Sequence, residues 1–239
     1  MRFKILLHSK QNTITLPINY NYLIRALIYD VLPDDTAKNL HDKGYFYKSR
    51  YFKLFTFSKL YAKRFFIKDK NITFTSPVQL FVGFADNIVA KDFASNLLKK
   101  SSFRLQNNIL NIEYIEVIES VDFMELNIIK TLSPIVVYKT FDKKKRYFLP
   151  NDKEFLPLIK SNLAKKYAIL AGKESDFDLK LQPLKCKKTV IKNYGNVVEG
   201  VEGRFILQCP PPVLEKVYDA GLGANNSSGF GMVEVIDET

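Results

Sequence analysis

Hydrophobic positions along the chain switch repeatedly between a period of two and a period of three to four. Residues 2–8 alternate apolar and polar side chains and predict a first strand. From about Tyr20 to Leu32, the residues Leu23, Ile24, Leu27, Ile28 and Val31 recur at helical spacing, which predicts an amphipathic helix. Pro33-Asp34-Asp35 ends it, and either aspartate can cap a short second helix that ends near His41. Phe52–Ser58 alternates aromatic with polar side chains and reads as one strand. Further strands are predicted at 63–67, at 71–75, and at 78–84 after the turn signal Ser76-Pro77. A helix fits 86–99 with Ile88, Phe93 and Leu97/Leu98 inward, and Ile109–Ile118 reads as a strand.

The second half repeats the order. Phe123–Thr131 and Ile135–Tyr138 read as strands, and a helix fits 154–170 with Phe155, Ile159, Leu163 and Tyr167 on one face. Strands follow at 177–192 and 203–209. Pro210-Pro211-Pro212 opens a helix through Asp219, and the last strand lies at 230–236. Strand-helix-strand-strand-helix-strand, read twice, predicts an α+β fold of two tandem ferredoxin-like (RRM-like) βαββαβ units with antiparallel sheets. The expected units are 1–119 and 120–239, joined near 119–123.

Composition narrows the partner. The 239 residues carry a formal net charge of +11, and 46% of them are hydrophobic, enough for a folded core. No run approaches the ~20 apolar residues of a membrane helix, and the apolar stretch at the N-terminus is too short for a signal peptide. Two cysteines without metal-type spacing and two histidines make a metal site an unfavoured expectation. A cytoplasmic protein with a polyanionic partner and no membrane role is the expectation. Residues 1–119 hold 18 basic and 10 acidic side chains, whereas 120–239 hold 18 and 15. Within 43–70, Lys43, Lys48, Arg50, Lys53 and Lys59 alternate with tyrosines and phenylalanines, and Asp69 is the one acid. Basic groups contact phosphates and exposed aromatics stack on unpaired bases; a solvated Lys-rich face beside core phenylalanines is the other reading. The run Lys143-Lys144-Lys145-Arg146 reads as a basic hairpin tip.

The most distinctive stretch is Gly221-Leu222-Gly223-Ala224-Asn225-Asn226-Ser227-Ser228-Gly229-Phe230-Gly231. It falls between a helix and a strand, the reverse of a Rossmann or Walker loop, and no Lys-Ser/Thr follows its glycines. A tight helix-to-strand connection is one reading, and a backbone anion nest is another. The pattern Gly-apolar-Gly, five residues, Gly-Phe-Gly resembles the C-terminal signature of the CRISPR-associated endoribonucleases that cut precursor repeat RNA, members of the RAMP superfamily. Leu16–Leu23 with Leu27-Ile28-Tyr29, then Leu40-His41, Phe52–Ser58, Thr131–Ile135 and Asn162–Tyr167 resemble family segments in the same order. Relatives often carry a basic residue after the second glycine. Ala224-Asn225 stand there, which shifts phosphate contact onto backbone N–H donors.

The resemblance implies RNA cleavage without a metal or other cofactor, by attack of a ribose 2′-OH on the adjacent phosphate, leaving a 2′,3′-cyclic phosphate and a 5′-OH. Such a reaction needs proton transfer and a cation at the phosphate. His41 is the candidate proton-transfer group, since histidines change charge near neutral pH; His8 reads as structural or as an RNA contact. Tyr29 lies off the apolar stripe beside Tyr22 and Arg25, and the resemblance pairs it with the histidine. A phenol titrating near ~10 is a poor base at neutral pH, so it needs activation or only orients the 2′-OH. Lys53 is the candidate cation, expected to point outward with Phe55 if Phe52 and Leu54 face the core. The expected RNA contacts are Lys43, Lys48, Arg50, Lys59, Gly221, Gly223, Asn225, Asn226, Ser227, Gly229 and Gly231. The expected partner is CRISPR repeat RNA, as precursor or mature guide, with a CRISPR effector complex or a homodimer left open. The alternatives are a RAMP-type protein that holds repeat RNA without cutting it, and a ferredoxin-like module whose loop holds a small phosphate ligand.

Overall fold

A computed structural model describes residues 1–193 and 196–236. The first part of the chain runs β1 (Arg2–Ser9), β2 (Thr13–Pro17), α1 (Asn21–Val31), α2 (Asp34–Asp42), β3 (Tyr45–Tyr47), β4 (Arg50–Phe52), β5 (Phe55–Phe57) and β6 (Tyr61–Ala62). It continues through β7 (Phe65–Lys68), β8 (Asn71–Thr75), β9 (Val78–Phe84), α3 (Asn87–Leu97), β10 (Ser102–Leu105) and β11 (Asn108–Ile118). The second part runs β12 (Leu126–Thr131), β13 (Tyr138–Phe141), β14 (Lys144–Tyr147), α4 (Phe155–Ala171), β15 (Lys180–Asn193), β16 (Asn196–Gln208), α5 (Pro211–Val217) and β17 (Val233–Ile236).

The first sheet has the order β10-β11-β1-β9-β5, with β6 also on β9, and its pairs are antiparallel. With β1, β5, β9 and β11 as framework strands, this is the ferredoxin-like permutation, first strand inside and second at the edge. The second sheet, β15-β16-β12-β17, has the same permutation. The chain is therefore α+β with two tandem ferredoxin-like units. Each unit has its own core. Phe3, Ile5 and Leu7 of β1 meet Ile24, Ile28 and Val31 of α1 and Phe93 and Leu97 of α3. Ile129 of β12 and Phe205 of β16 meet Ile159 and Leu163 of α4 and Val217 of α5.

Several expectations change. Phe52–Ser58 is not one strand: Leu54 takes a left-handed φ of +52° and separates β4 from β5. Period-two alternation cannot pass through such a residue, so Leu54 and Phe55 are both buried and Phe55 does not point outward with Lys53. In α3, Asp86 caps the helix by accepting from the N–H groups of Ile88 and Val89. That start turns Val89, Ala90, Phe93 and Leu97 inward and leaves Ile88 and Leu98 each 74% exposed. β2 and β10 are additional strands, each alternating exposed and buried positions, and the β3–β4 hairpin, with three residues to a strand, is too short to show a period. Ile135 makes a single bridge to Val201; the strand there is β13, paired with β14. Its turn, Asp142-Lys143, forms the expected basic tip.

Polar contacts clamp the units together. Arg2, almost fully buried, donates from Nε to Asp219 Oδ1 at 2.7 Å and from Nη2 to the Tyr218 carbonyl at 2.8 Å. The Met1 amine also bonds Asp219. Lys59 pairs with Glu202 at 2.8 Å, and its backbone N–H donates to Leu132. Among the described residues no helix is long and apolar enough to cross a membrane, and no group of three or more His, Cys, Asp or Glu stands ready to hold a metal.

Candidate active site and nucleic-acid interface

A cavity of about 510 Å³ opens between α1 and α2. Tyr22, Arg25 and Tyr29 line it from α1, and Lys38, His41 and Asp42 from α2. Positions 22, 25 and 29 are one helical face, and the opposite face is the apolar stripe buried against the sheet. Pro33 breaks the two helices apart, and buried Leu40 anchors α2 so that His41 faces the cavity.

The Tyr29 ring stands edge-on to His41, with centroids 5.4 Å apart, and edge-on to buried Phe55 at 5.7 Å. Phe55 thus fixes the tyrosine from behind while the exposed histidine meets it in front. The Arg25 guanidinium lies 5.8 Å from the Tyr29 centroid. His41 Nδ1 is 2.9 Å from Asp42 Oδ1. A carboxylate accepts, so Nδ1 carries the proton in this contact and Nε2 is left to face a substrate. The bond from His41 holds the Asp42 carboxyl below its usual range.

Lys53 reaches the same place from the break after β4. Its Nζ donates to the His41 carbonyl at 2.5 Å. Burial, then the Arg25 charge, hold its ammonium below the usual lysine range, against the pull of Asp42. Gly44 makes this approach feasible. It has φ +63°, and a Cβ there would lie 2.4 Å from the Phe52 carbonyl. Tyr29, His41 and Lys53 are therefore brought together, although Lys53 does not line the cavity; the lining cations are Arg25 and Lys38.

The Gly-rich loop docks at the other end of α1. Asn21 Nδ2 donates to the Ser228 carbonyl at 3.0 Å, and Thr56 Oγ1 to the Phe230 carbonyl at 3.0 Å. Most loop N–H groups are spent inside the protein: Gly221 donates to Tyr218, Gly229 to Asn226, and Gly231 to Pro134. These three glycines shape the loop, and their N–H groups do not point at a ligand. At Gly231 (φ +74°) a Cβ would fall 1.9 Å from the Leu222 carbonyl. Asn226 is also structural, donating through Nδ2 to the carbonyls of Leu222 and Phe230. Gly223 is buried, while Asn225 and Ser227 are half-buried at the loop apex.

The sequence reading missed what holds this loop. Lys166 of α4 is 2% exposed and donates to the Gly221 carbonyl at 2.6 Å, the Gly223 carbonyl at 3.2 Å and Asn226 Oδ1 at 2.7 Å. Burial pushes its ammonium down to about 7. The signal was a lysine at the buried spacing of α4, three residues after Leu163.

The basic segment divides. Lys59 is engaged with Glu202, and Lys48 with Glu174 at 2.8 Å. Lys43 and Arg50 are exposed. Exposed Phe46 and Tyr51 stack on the β3–β4 hairpin with centroids 4.9 Å apart. His8, half-buried on β1, is not part of the α1–α2 cavity.

Two family models match the chain in order: CRISPR-associated protein Cas6, N-terminal, over residues 15–116, and CRISPR associated protein Cas6, C-terminal, over 118–235. The chain is 29% identical to CRISPR-associated endoribonuclease Cas6 1 of Methanocaldococcus jannaschii, across 100% of this chain and 94% of that protein. Its fold is similar to that of a Cas6-related protein from Pyrococcus furiosus, with a TM-score of 0.86 at 23% identity over 100% and 99% of the two chains. It is also similar to a solved RAMP protein described as binding different RNA substrates, with a TM-score of 0.83 at 25% identity over 99% and 100%. With one model on each unit and nearly the whole chain accounted for, this chain belongs to the CRISPR-associated Cas6 family.

Proposed function

We propose that the chain is a metal-independent endoribonuclease that cuts CRISPR precursor repeat RNA in the cytoplasm to release guide RNA. The first unit, ending near residue 119, carries the chemistry, and 120–239 supplies the loop that supports the RNA. The observation that carries this reading is the meeting of Tyr29 and His41, rings 5.4 Å apart at one cavity, with the Lys53 ammonium against the His41 carbonyl.

In the reaction, the 2′-oxygen beside the cut bonds to phosphorus and the P–O5′ bond breaks. The 2′-OH proton leaves and one arrives on the departing 5′-oxygen, giving a 2′,3′-cyclic phosphate and a 5′-OH. His41 Nε2 is the proton-transfer atom, because Asp42 occupies Nδ1. The Tyr29 ring, edge-on to His41, holds the imidazole beside the ribose, and Lys53 with Arg25 offsets the charge that builds on the phosphate. Tyr22, Arg25 and Tyr29 form a polar stripe along α1 from the Gly-rich loop to the cavity, a path for the RNA that includes Asn225 and Ser227.

A labelled repeat RNA incubated in EDTA is expected to be cut once, with a cyclic phosphate end. His41→Ala is expected to lose about 10²-fold or more in single-turnover rate while keeping its RNA affinity. A variant that cuts at the wild-type rate removes His41 from the mechanism. One observation favours the second reading, a RAMP-type protein that holds repeat RNA without cutting: Lys53 is turned to a backbone carbonyl and lies outside the cavity lining. Tight RNA binding with no cut product at excess protein decides for it.

A further inference from the structure

Two strand edges in the first unit lie open, and they carry opposite charge. β7 ends the three-stranded sheet β2-β8-β7 and pairs with β8 on one side only. Its Phe65, Phe66 and Ile67 are each more than half exposed. The exposed cations Lys63, Arg64, Lys68 and Lys70 surround that triad, with Asp69 the one acid. The other edge is the far end of β11. β10 covers β11 only from Asn108 to Asn111, while β1 follows its other side to Ile118. From Glu113 onward the β10 side therefore has no strand partner among the described residues. Tyr114 and Val117 are exposed there, among the carboxylates of Glu113, Glu116 and Glu119.

An open edge presents unpaired N–H and C=O groups and accepts any strand whose side chains allow it. Charge selects among the candidates. Two β7 strands would set cations against cations, and two β11 ends would set carboxylates against carboxylates, so neither edge suits its own copy. β7 and β11 suit each other: each has an apolar centre, one set among cations and the other among carboxylates. The charges are available. Lys4 takes Glu116 at 3.0 Å, but Glu113, Glu119 and the four β7 cations make no ion pair among the described residues. RNA would answer the cations of β7, but not its row of backbone donors and acceptors, nor the acidic edge of β11.

We infer that β7 of one copy adds as a strand to the open end of β11 of a second copy, so that the chain associates head to tail. Such a contact uses two different surfaces, so each pair still offers one free β7 and one free β11. Association then continues past the dimer unless the rotation between copies closes a ring. A single strand pair is a small interface, and the contact is expected to be weak, reversible and screened by salt. Neither edge lines the α1–α2 cavity, and the inference stands apart from the reading of that cavity as a nuclease site.

The test is sedimentation velocity of the RNA-free protein over a range of concentrations, at low and at high salt. Wild type is compared with Lys63→Glu/Lys68→Glu on β7 and with Glu113→Lys/Glu119→Lys at β11. All four side chains are exposed, so the substitutions leave the cores intact. Wild type is expected to sediment faster as concentration rises, with species beyond the dimer, and to return to monomer at high salt. Each double variant alone has two edges of one sign and is expected to lose association. An equimolar mixture of the two is expected to regain it, because an acidic β7 then meets a basic β11 and the native pairing is also present. Wild type that stays monomeric throughout overturns the inference. So does a two-fold dimer that both variants retain, or a mixture that stays monomeric. If wild type is monomeric and the β7 variant alone binds labelled repeat RNA more weakly, β7 is an RNA contact and the strand-pairing assignment falls.

Discussion

At Lys53 one backbone residue decides where a charge goes. Leu54, left-handed, ends β4 and starts β5 one residue further on, and that break lets Lys53 lean across Gly44 toward α2. A lysine in a continuous strand would have faced solvent beside its neighbours. The same position gives Lys53 a pH signature. Burial and Arg25 hold its ammonium below the ordinary 10.5, so its charge at the phosphate is present at low pH and lost as pH rises through that lowered value. The cleavage rate is therefore expected to fall on the alkaline side before pH ~10.5. Lys53→Arg, which stays charged throughout, is expected to keep activity there. Single-turnover rates from neutral pH upward check this; identical alkaline limbs for the two proteins would remove Lys53 from the chemistry.

Among the elements, the Gly-rich loop depends on α4 more than its own composition suggests. Its glycines let the chain fold back within van der Waals reach of Leu222, but Lys166 gathers the carbonyls that this folding leaves pointing inward. Lys166→Met keeps much of the volume and removes the donor, leaving the Gly221 and Gly223 carbonyls and Asn226 Oδ1 buried and unsatisfied. The expected cost is about 3 kcal/mol, read as a lower denaturant midpoint at constant slope. A loss within ~0.5 kcal/mol, the range of a neutral surface change, would mean that water replaces the lysine. The glycine spacing was legible in the sequence as a loop. Its support was not, because a lysine inside a helix is read as solvent-facing unless the opposing oxygens are known.

At the scale of the whole molecule, the junction is set by charge. Arg2 is 5% exposed on β1, yet its carboxylate partner is 217 residues away. Asp219→Ala leaves a buried guanidinium without its counter-ion, and the expected loss is about 3 kcal/mol or more. Arg2→Met/Asp219→Leu is expected to recover only the part that comes from the unpaired charge, because the buried Tyr218 and Val233 carbonyls then lose their donor. Denaturant midpoints of Arg2→Met, Asp219→Leu and the double variant provide the check, and additive losses would show that Arg2 and Asp219 act independently. The repeated strand order of the two sheets was legible from periodicity, because each framework strand and helix presents a long enough apolar face. The β3–β4 hairpin has three residues to a strand and leaves no period to read; β2 and β10 do alternate, but runs that short are set as strands only by the partners they find, β8 and β11.

By itself the sequence determined the two ferredoxin-like units, the basic lean of the first, and a family-like order of segments that ends in the Gly-rich loop. These are local properties, written in spacing and composition. Only the tertiary structure decided that Tyr29 and His41 meet edge to edge and that Lys53 bonds the His41 carbonyl. It also decided that Lys59 and Lys48 are committed to glutamates. Each of these is a pairing between elements far apart in the chain. Distances of that kind come from how helices pack on sheets and how one sheet is clamped to the other, which no local pattern records.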